Sequence, residues 1–146
     1  MSDVFYYSTN VEWTEKRKGN LTENNFPKIE VTTPTEFIGG EENVWTPEHL
    51  FVASANVCLM TTFLSIAENS KLDFISYNSQ GKGMLEKADH GFMITEIELF
   101  PNIVVSQEKD IARAERIIQK AEHHCLISNS IKSKIILTPK IELVKT

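Results

Sequence analysis

The sequence predicts an α+β protein in which strands and helices are grouped rather than alternating as β-α-β units. Residues 4–44 carry strand-like patterning and turn residues, with no helical stretch. One long helical pattern begins at Pro47. A hairpin, a second helix and a closing strand follow it. The order is therefore strands, helix, hairpin, helix, strand.

Val4 to Trp13 is rich in aromatic and β-branched residues and reads as a strand. Glu15 to Asn20 is a polar turn, Leu21 to Asn25 a short strand, and Lys28 to Thr32 a strand with Ile29 and Val31 inward. Thr33 to Val44 holds Pro34, Gly39 and Gly40 and reads as loop. Thr46-Pro47-Glu48 is a helix start: Thr46 caps, Pro47 suits the first helical position, and Glu48 faces the positive end of the dipole. Nothing breaks this helix before about Ser70. Leu50, Val57 and Leu64 recur at helical spacing, as do Ala53, Met60 and Ala67, and Phe51, Cys58 and Phe63 widen the apolar arc. Such a helix is expected to be central and buried. Phe74 to Glu86 reads as a long strand, Lys87 to Gly91 as a hairpin turn, and Phe92 to Leu99 as the returning strand. Ser106 to about His124 is amphipathic, with Ile111, Ala114, Ile117, Ile118 and Ala121 on one side and Arg113 and Arg116 on a solvated face. Ser133 to Val144 closes the chain as one strand.

The 146 residues suit a single domain, 1–146, with 41% hydrophobic and 24% charged residues. A chain of this size buries roughly 68–70% of its unfolded surface, enough for a core without staples. The net charge of −5 argues against nucleic acid and gives no reason to expect an anionic membrane partner. Met1 to Tyr7 lacks the basic and apolar regions of a signal peptide, and no uninterrupted run of about 18 apolar residues marks a membrane span. The expected location is the cytoplasm. In a reducing cytosol two cysteines are not a structural framework; they are inert buried thiols or chemically used ones.

Cys58 lies on the first helix, and Cys125 at the end of the second, before the turn-forming run Ser128-Asn129-Ser130. A cysteine on a core helix is most often a small hydrophobe. His123, His124 and Cys125 are consecutive, and helical neighbours point about 100° apart, so they do not converge on one metal ion. Arg17 reads either as ordinary turn charge or as a fixed cation able to stabilise a thiolate. Glu48 reads either as a first-turn carboxylate or as a partner for such a cation.

Resemblance bears on these alternatives. The pattern Thr46-Pro47-Glu48-x-Leu50-Phe51-x-Ala53, with Cys58 ten residues after the Glu, resembles the OsmC/Ohr family of thiol peroxidases. So does Cys125 followed by Ser128-Asn129 at a helix end. Lys16-Arg17-Lys18-Gly19 is similar to the Gly-Arg-Asp-Gly turn of the organic hydroperoxide resistance branch. Thr33 to Gly40 is similar to that branch's Thr-Pro-x-Glu-Leu-Gly-Gly stretch. The likeness runs from about Val11 to Val144. Departures are Lys18 for Asp, Thr46 for Asn, Leu126 where Pro often follows the second cysteine, bulkier Ala55-Asn56-Val57 before Cys58, and Lys132 where Arg is sometimes found. None removes a reacting group.

The resemblance implies an intertwined homodimer with two long central helices flanked by antiparallel sheets. It implies a peroxidatic Cys58, a resolving Cys125, an activating Arg17 and its carboxylate partner Glu48. The substrate would be an organic hydroperoxide and the reductant a dithiol such as a lipoylated protein, with no metal, flavin or nicotinamide. Apolar Phe51, Met60 and Phe63 suggest alkyl or lipid peroxides over hydrogen peroxide. Glu48 and Cys58 stand ten residues apart on one helix, about 15 Å of rise, so Glu48 is expected to serve the other subunit's site. Arg17, in its polar turn, is expected to swing between a site-closed and a site-open position. The alternative is a catalytically weak OsmC-like domain that binds a small apolar ligand or senses redox state. A further alternative is a structural dimer with two inert thiols.

Overall fold

The computed structural model describes residues 3–145; Met1, Ser2 and Thr146 lie outside the described residues, and with them the first two positions of the segment read as lacking a signal peptide. Contacts divide the chain into two units, meeting between Leu50 and Phe51, and each is described by itself.

The amino-terminal unit is a three-stranded antiparallel meander: β1 (Asn10–Glu15), β2 (Lys18–Thr22) and β3 (Ile29–Val31). The first strand starts at Asn10, later than the patterning suggests, because residues 4–9 are exposed and find no ladder partner. The turn between β1 and β2 is tight. Lys16 takes a left-handed φ of 49°, and the Trp13 indole N–H donates to the Lys16 carbonyl at 2.9 Å. Gly19 faces Trp13 across the ladder, where an added Cβ would stand 2.7 Å from the Glu12 carbonyl oxygen. Lys18 is not a free second cation of this turn. It pairs with Glu30 at 3.4 Å and Glu41 at 3.6 Å, which neutralises it locally.

The helix α1 spans Pro47–Asn69. It starts as expected: the Thr46 hydroxyl accepts the His49 backbone N–H at 3.1 Å, satisfying one of the donors that open a helix. Its most apolar window has a mean hydropathy of 1.8, enough by length and composition alone to cross a membrane. The fold uses this apolarity otherwise. Ala55, Leu59, Phe63 and Ala67, spaced by four, are buried in the core. Val57 and Leu64 remain 54% and 38% exposed, so within one chain the helix is not buried all round.

In the carboxy-terminal unit β4 (Ser76–Ala88) and β5 (Gly91–Val105) form a long antiparallel hairpin, turned at Gly91, whose φ of 117° suits glycine. The closing segment is two strands rather than one: β6 (Lys134–Leu137) and β7 (Lys140–Leu143). They are separated at Thr138-Pro139, where proline has no N–H for the ladder. Both lie parallel to β5, so this sheet is mixed and not purely antiparallel. Along β5, Ile97, Leu99, Pro101, Ile103 and Val105 alternate inward. They meet α1 residues and Ala114, Ile117, Ile118 and Ala121 of α2 (Lys109–His123) in one core.

Three contacts fix α1 in this unit. Asn56 donates to the Ser79 carbonyl at 2.9 Å and accepts the Ser79 hydroxyl at 2.7 Å, tying helix to β4. Gly83 lets Val52 come close: a Cβ there would stand 2.5 Å from Val52 Cγ2. At the helix's far end Arg113 bonds the buried Asp110 at 2.7 Å and donates to the Ser70 carbonyl at 2.7 Å. Arg113 is thus a structural clamp and not part of a solvated face.

Candidate active site at the paired thiols

Cys58 lies midway along α1, partly exposed, and Cys125 follows the last turn of α2, fully buried. The packing of α1 against the end of α2 makes them neighbours, with a hydrogen-bonding interaction between the two thiols. After Cys125 the chain turns at once. Asn129 N–H returns to the Cys125 carbonyl at 3.0 Å, and Ser130 Oγ to the Leu126 carbonyl at 2.7 Å, closing the 3-10 turn Ser128–Ser130. This turn aims the Leu126 and Ile127 backbone N–H groups at the Cys58 sulfur.

The electrostatics of the two sulfurs differ. Burial disfavours charge on Cys58, but the Ile127 N–H, the Cys125 thiol, the Thr62 hydroxyl and the Leu126 N–H together outweigh it and hold its pKa below the ordinary thiol value. Thr62 stands one helical turn on, its hydroxyl 4.0 Å from the sulfur. For Cys125 burial wins: its pKa is raised, Ser128 offsets part of the shift, and the neighbouring Cys58 pushes it further up. The arrangement favours a Cys58 thiolate beside a Cys125 thiol.

Three further polar groups gather on the Cys125 side. Tyr77 of β4 packs its ring on Phe63 at 5.2 Å between centroids, and its phenol is shifted up to about 12, by burial first and also by the charges of Cys125 and Glu122. Glu122 stands one helical turn before Cys125, and burial raises its pKa. Tyr77 Oη, Glu122 Oε2 and Ser128 Oγ are all shielded from solvent; the Ser128 hydroxyl serves both Glu122 and Cys125, and Ser79 serves Tyr77. The sequence reading missed Tyr77, Glu122 and the two backbone donors. The Ser-Asn-Ser turn was the one available signal for the donors.

Of the four residues singled out from the sequence, the structure brings Cys58 and Cys125 together. Arg17 belongs to the amino-terminal unit, exposed in the β1–β2 turn, with its side-chain stem against Gly39. Glu48 occupies the first turn of α1, and its Oε1 is buried without a partner. The helix is unbroken from Glu48 to Cys58. Phe63 is fully buried against Phe74 and Tyr77 and is core, not a substrate-facing group.

Residues 40–140 match the family profile described as OsmC-like protein. The chain belongs to the OsmC-like family. Similar solved structures bear out the fold. An OsmC-like protein of unknown function from Vibrio cholerae superposes with a TM-score of 0.84 at 24% identity, over 93% of this chain and 99% of that one. An organic hydroperoxide resistance protein from Elizabethkingia anophelis gives 0.74 at 23%, over 96% and 99%. The organic hydroperoxide resistance protein OhrB of Bacillus subtilis gives 0.68 at 17%, over 93% and 98%. In sequence, the uncharacterized protein YmaD of Bacillus subtilis strain 168 is 24% identical over 136 residues, covering 91% of this OsmC-like chain and 89% of its own.

Proposed function

We propose that this OsmC-like protein is a cysteine peroxidase that reduces organic hydroperoxides to alcohols. One observation carries the reading: the paired thiols are biased in opposite senses, Cys58 toward thiolate and Cys125 toward thiol. A nucleophile needs the first property, and a resolving partner that does not compete for the peroxide needs the second.

In the first step the Cys58 thiolate attacks the distal peroxide oxygen. The O–O bond breaks, Cys58 becomes a sulfenic acid, and the alkoxide takes a proton and leaves as alcohol. In the second step the Cys125 sulfur attacks the Cys58 sulfur, a disulfide forms and water leaves. An external dithiol then reduces the disulfide and is itself oxidised. The net reaction is hydroperoxide plus dithiol to alcohol, water and the dithiol's disulfide.

Arg17 is assigned the cation that favours the thiolate and stabilises charge on the leaving oxygen, held by Glu48 through a paired hydrogen bond. About 15 Å of helix separates Glu48 from its own chain's Cys58, so Glu48 is assigned to the site of a second copy. The exposed Val57 and Leu64, seven residues apart and so on one side of α1, supply an apolar surface for that copy. The functional unit is accordingly a homodimer of single-domain chains in a reducing cytoplasm. The testing experiment is turnover with an alkyl hydroperoxide and dihydrolipoamide. Steady alcohol production supports the reading, and its absence with fully reduced protein contradicts it.

A further inference from the structure

Arg17 has a long unbranched stem, and an exposed arginine ordinarily samples many rotamers. Here the stem is not loose. It lies against the bare Cα of Gly39, where an added Cβ would stand 2.5 Å from Arg17 Cγ, 3.4 Å from its Cβ and 3.6 Å from its Cδ. Three successive carbons of the arginine thus run across one glycine. The backbone of the turn is held as well. The buried Thr32 hydroxyl donates to the Arg17 carbonyl at 3.3 Å, and one residue earlier the Trp13 indole N–H holds the Lys16 carbonyl.

The loop that carries Gly39 is itself pinned. The Phe37 N–H returns to the Pro34 carbonyl at 3.0 Å and the Gly40 N–H to the Phe37 carbonyl at 3.1 Å, two turns back to back. Gly39 takes a φ of 89°, a region glycine enters freely. That φ alone would admit an asparagine as well. The contact with Arg17 admits no Cβ of any kind. All of these residues belong to the amino-terminal unit.

We infer that Gly39 is a positioning residue for Arg17, its missing side chain forming the seat on which the arginine stem lies so that the guanidinium is presented in one direction. Gly39 touches no reacting atom and acts through Arg17. A cation fixed beforehand stabilises a thiolate and a leaving oxygen without losing rotamer freedom at the moment of reaction. With the stem seated and the Lys16 and Arg17 carbonyls bonded, the freedom left to Arg17 lies in the torsions beyond Cδ. Movement of Arg17 is therefore a turning of the guanidinium end and not a swing of the whole turn. The catalytic use of the seat rests on the peroxidase reading, which gives Arg17 its task.

Two readouts separate the seat from the chemistry, and neither uses a peroxide. The first is nitrogen relaxation at Arg17 Nε by NMR, readily resolved because the chain has three arginines. In wild type the Arg17 Nε heteronuclear NOE should approach that of the ordered backbone. Gly39→Ala should lower it by about half, and so should Gly39→Asn, which tolerates the left-handed φ better. Arg17→Ala in the same chain should recover part of the thermal stability that Gly39→Ala loses to the clash. The second readout is iodoacetamide labelling of Cys58 against pH. Gly39→Ala should move the curve to higher pH and slow labelling near neutral pH roughly two- to tenfold, as Arg17→Ala does, and should add nothing in the Arg17→Ala background. Wild-type relaxation of Arg17 in both Gly39 variants would overturn the seat, as would a labelling shift that persists undiminished once Arg17 is gone. Should Arg17→Ala itself leave labelling unmoved, the activating role of Arg17 falls, and the relaxation readout alone then decides the seat.

Discussion

The Leu126 backbone N–H, one residue past Cys125, points at the sulfur of Cys58 and helps lower its pKa, together with the stronger Ile127 donor. The position is one at which proline often stands in proteins this chain resembles, and proline has no N–H to give. The departure from the family pattern thus adds a donor to the candidate nucleophile's anion.

Leu126→Pro should therefore raise the Cys58 pKa and slow its alkylation near neutral pH roughly two- to tenfold. A lowered thiol pKa means the thiolate is populated at lower pH, so loss of a donor should move the alkylation curve to higher pH. The check is iodoacetamide labelling against pH, with a thermal melt to show that the fold persists. Superimposable curves would mean that this amide does not tune the sulfur.

Cys58→Ser should abolish peroxide consumption and leave the circular dichroism spectrum unchanged. Cys125→Ser should permit one oxidation and then stall, after which Cys58 should advance to sulfinic or sulfonic acid, read by intact mass. Normal cycling of Cys125→Ser with a dithiol would remove Cys125 from the resolving role.

Arg17→Ala should shift Cys58 alkylation to higher pH and slow its oxidation, with a stability change within about 0.5 kcal/mol because the turn is exposed. Lys18 does not substitute for it, being held by Glu30 and Glu41. Lys18→Ala should accordingly leave the alkylation profile where it is. Unchanged curves for Arg17→Ala would assign thiol activation to the backbone donors alone.

Gly83→Ala should destabilise the protein by about 1–3 kcal/mol through overpacking on Val52. The added methyl would stand 2.5 Å from Val52 Cγ2, and Val52→Ala in the same chain should restore most of the loss. Urea denaturation of the single and double variants checks the pairing. Additive destabilisation would contradict it.

Much of this architecture was legible because its signals are local. Thr46-Pro47-Glu48 started a helix where a cap, a fixed φ and a first-turn carboxylate coincide. The hairpin turned at Gly91 for want of a Cβ. The thiol pair was legible through motif likeness alone, since 67 residues of chain separate Cys58 from Cys125. What escaped depends on tertiary neighbours. Apolarity around most of α1 was read as a buried central helix, and one chain by itself covers the face of Ala55, Leu59, Phe63 and Ala67. Ser133 to Val144 carries strand patterning throughout, and only pairing with β5 reveals the break at Pro139 and the parallel direction. Arg113 gave no hint of its reach to Ser70, 43 residues away. Tyr77 looked like any strand tyrosine, and only the fold sets it beside Cys125 and Glu122.

Counting thiols after a brief exposure to an alkyl hydroperoxide tests the central claim most directly. Reduced protein is mixed with one equivalent of cumene hydroperoxide, quenched, and its free thiols and intact mass are measured. The peroxidase account predicts rapid loss of both thiols, a mass two hydrogens lighter, and no crosslink between chains. Retention of both thiols at unchanged mass would contradict it.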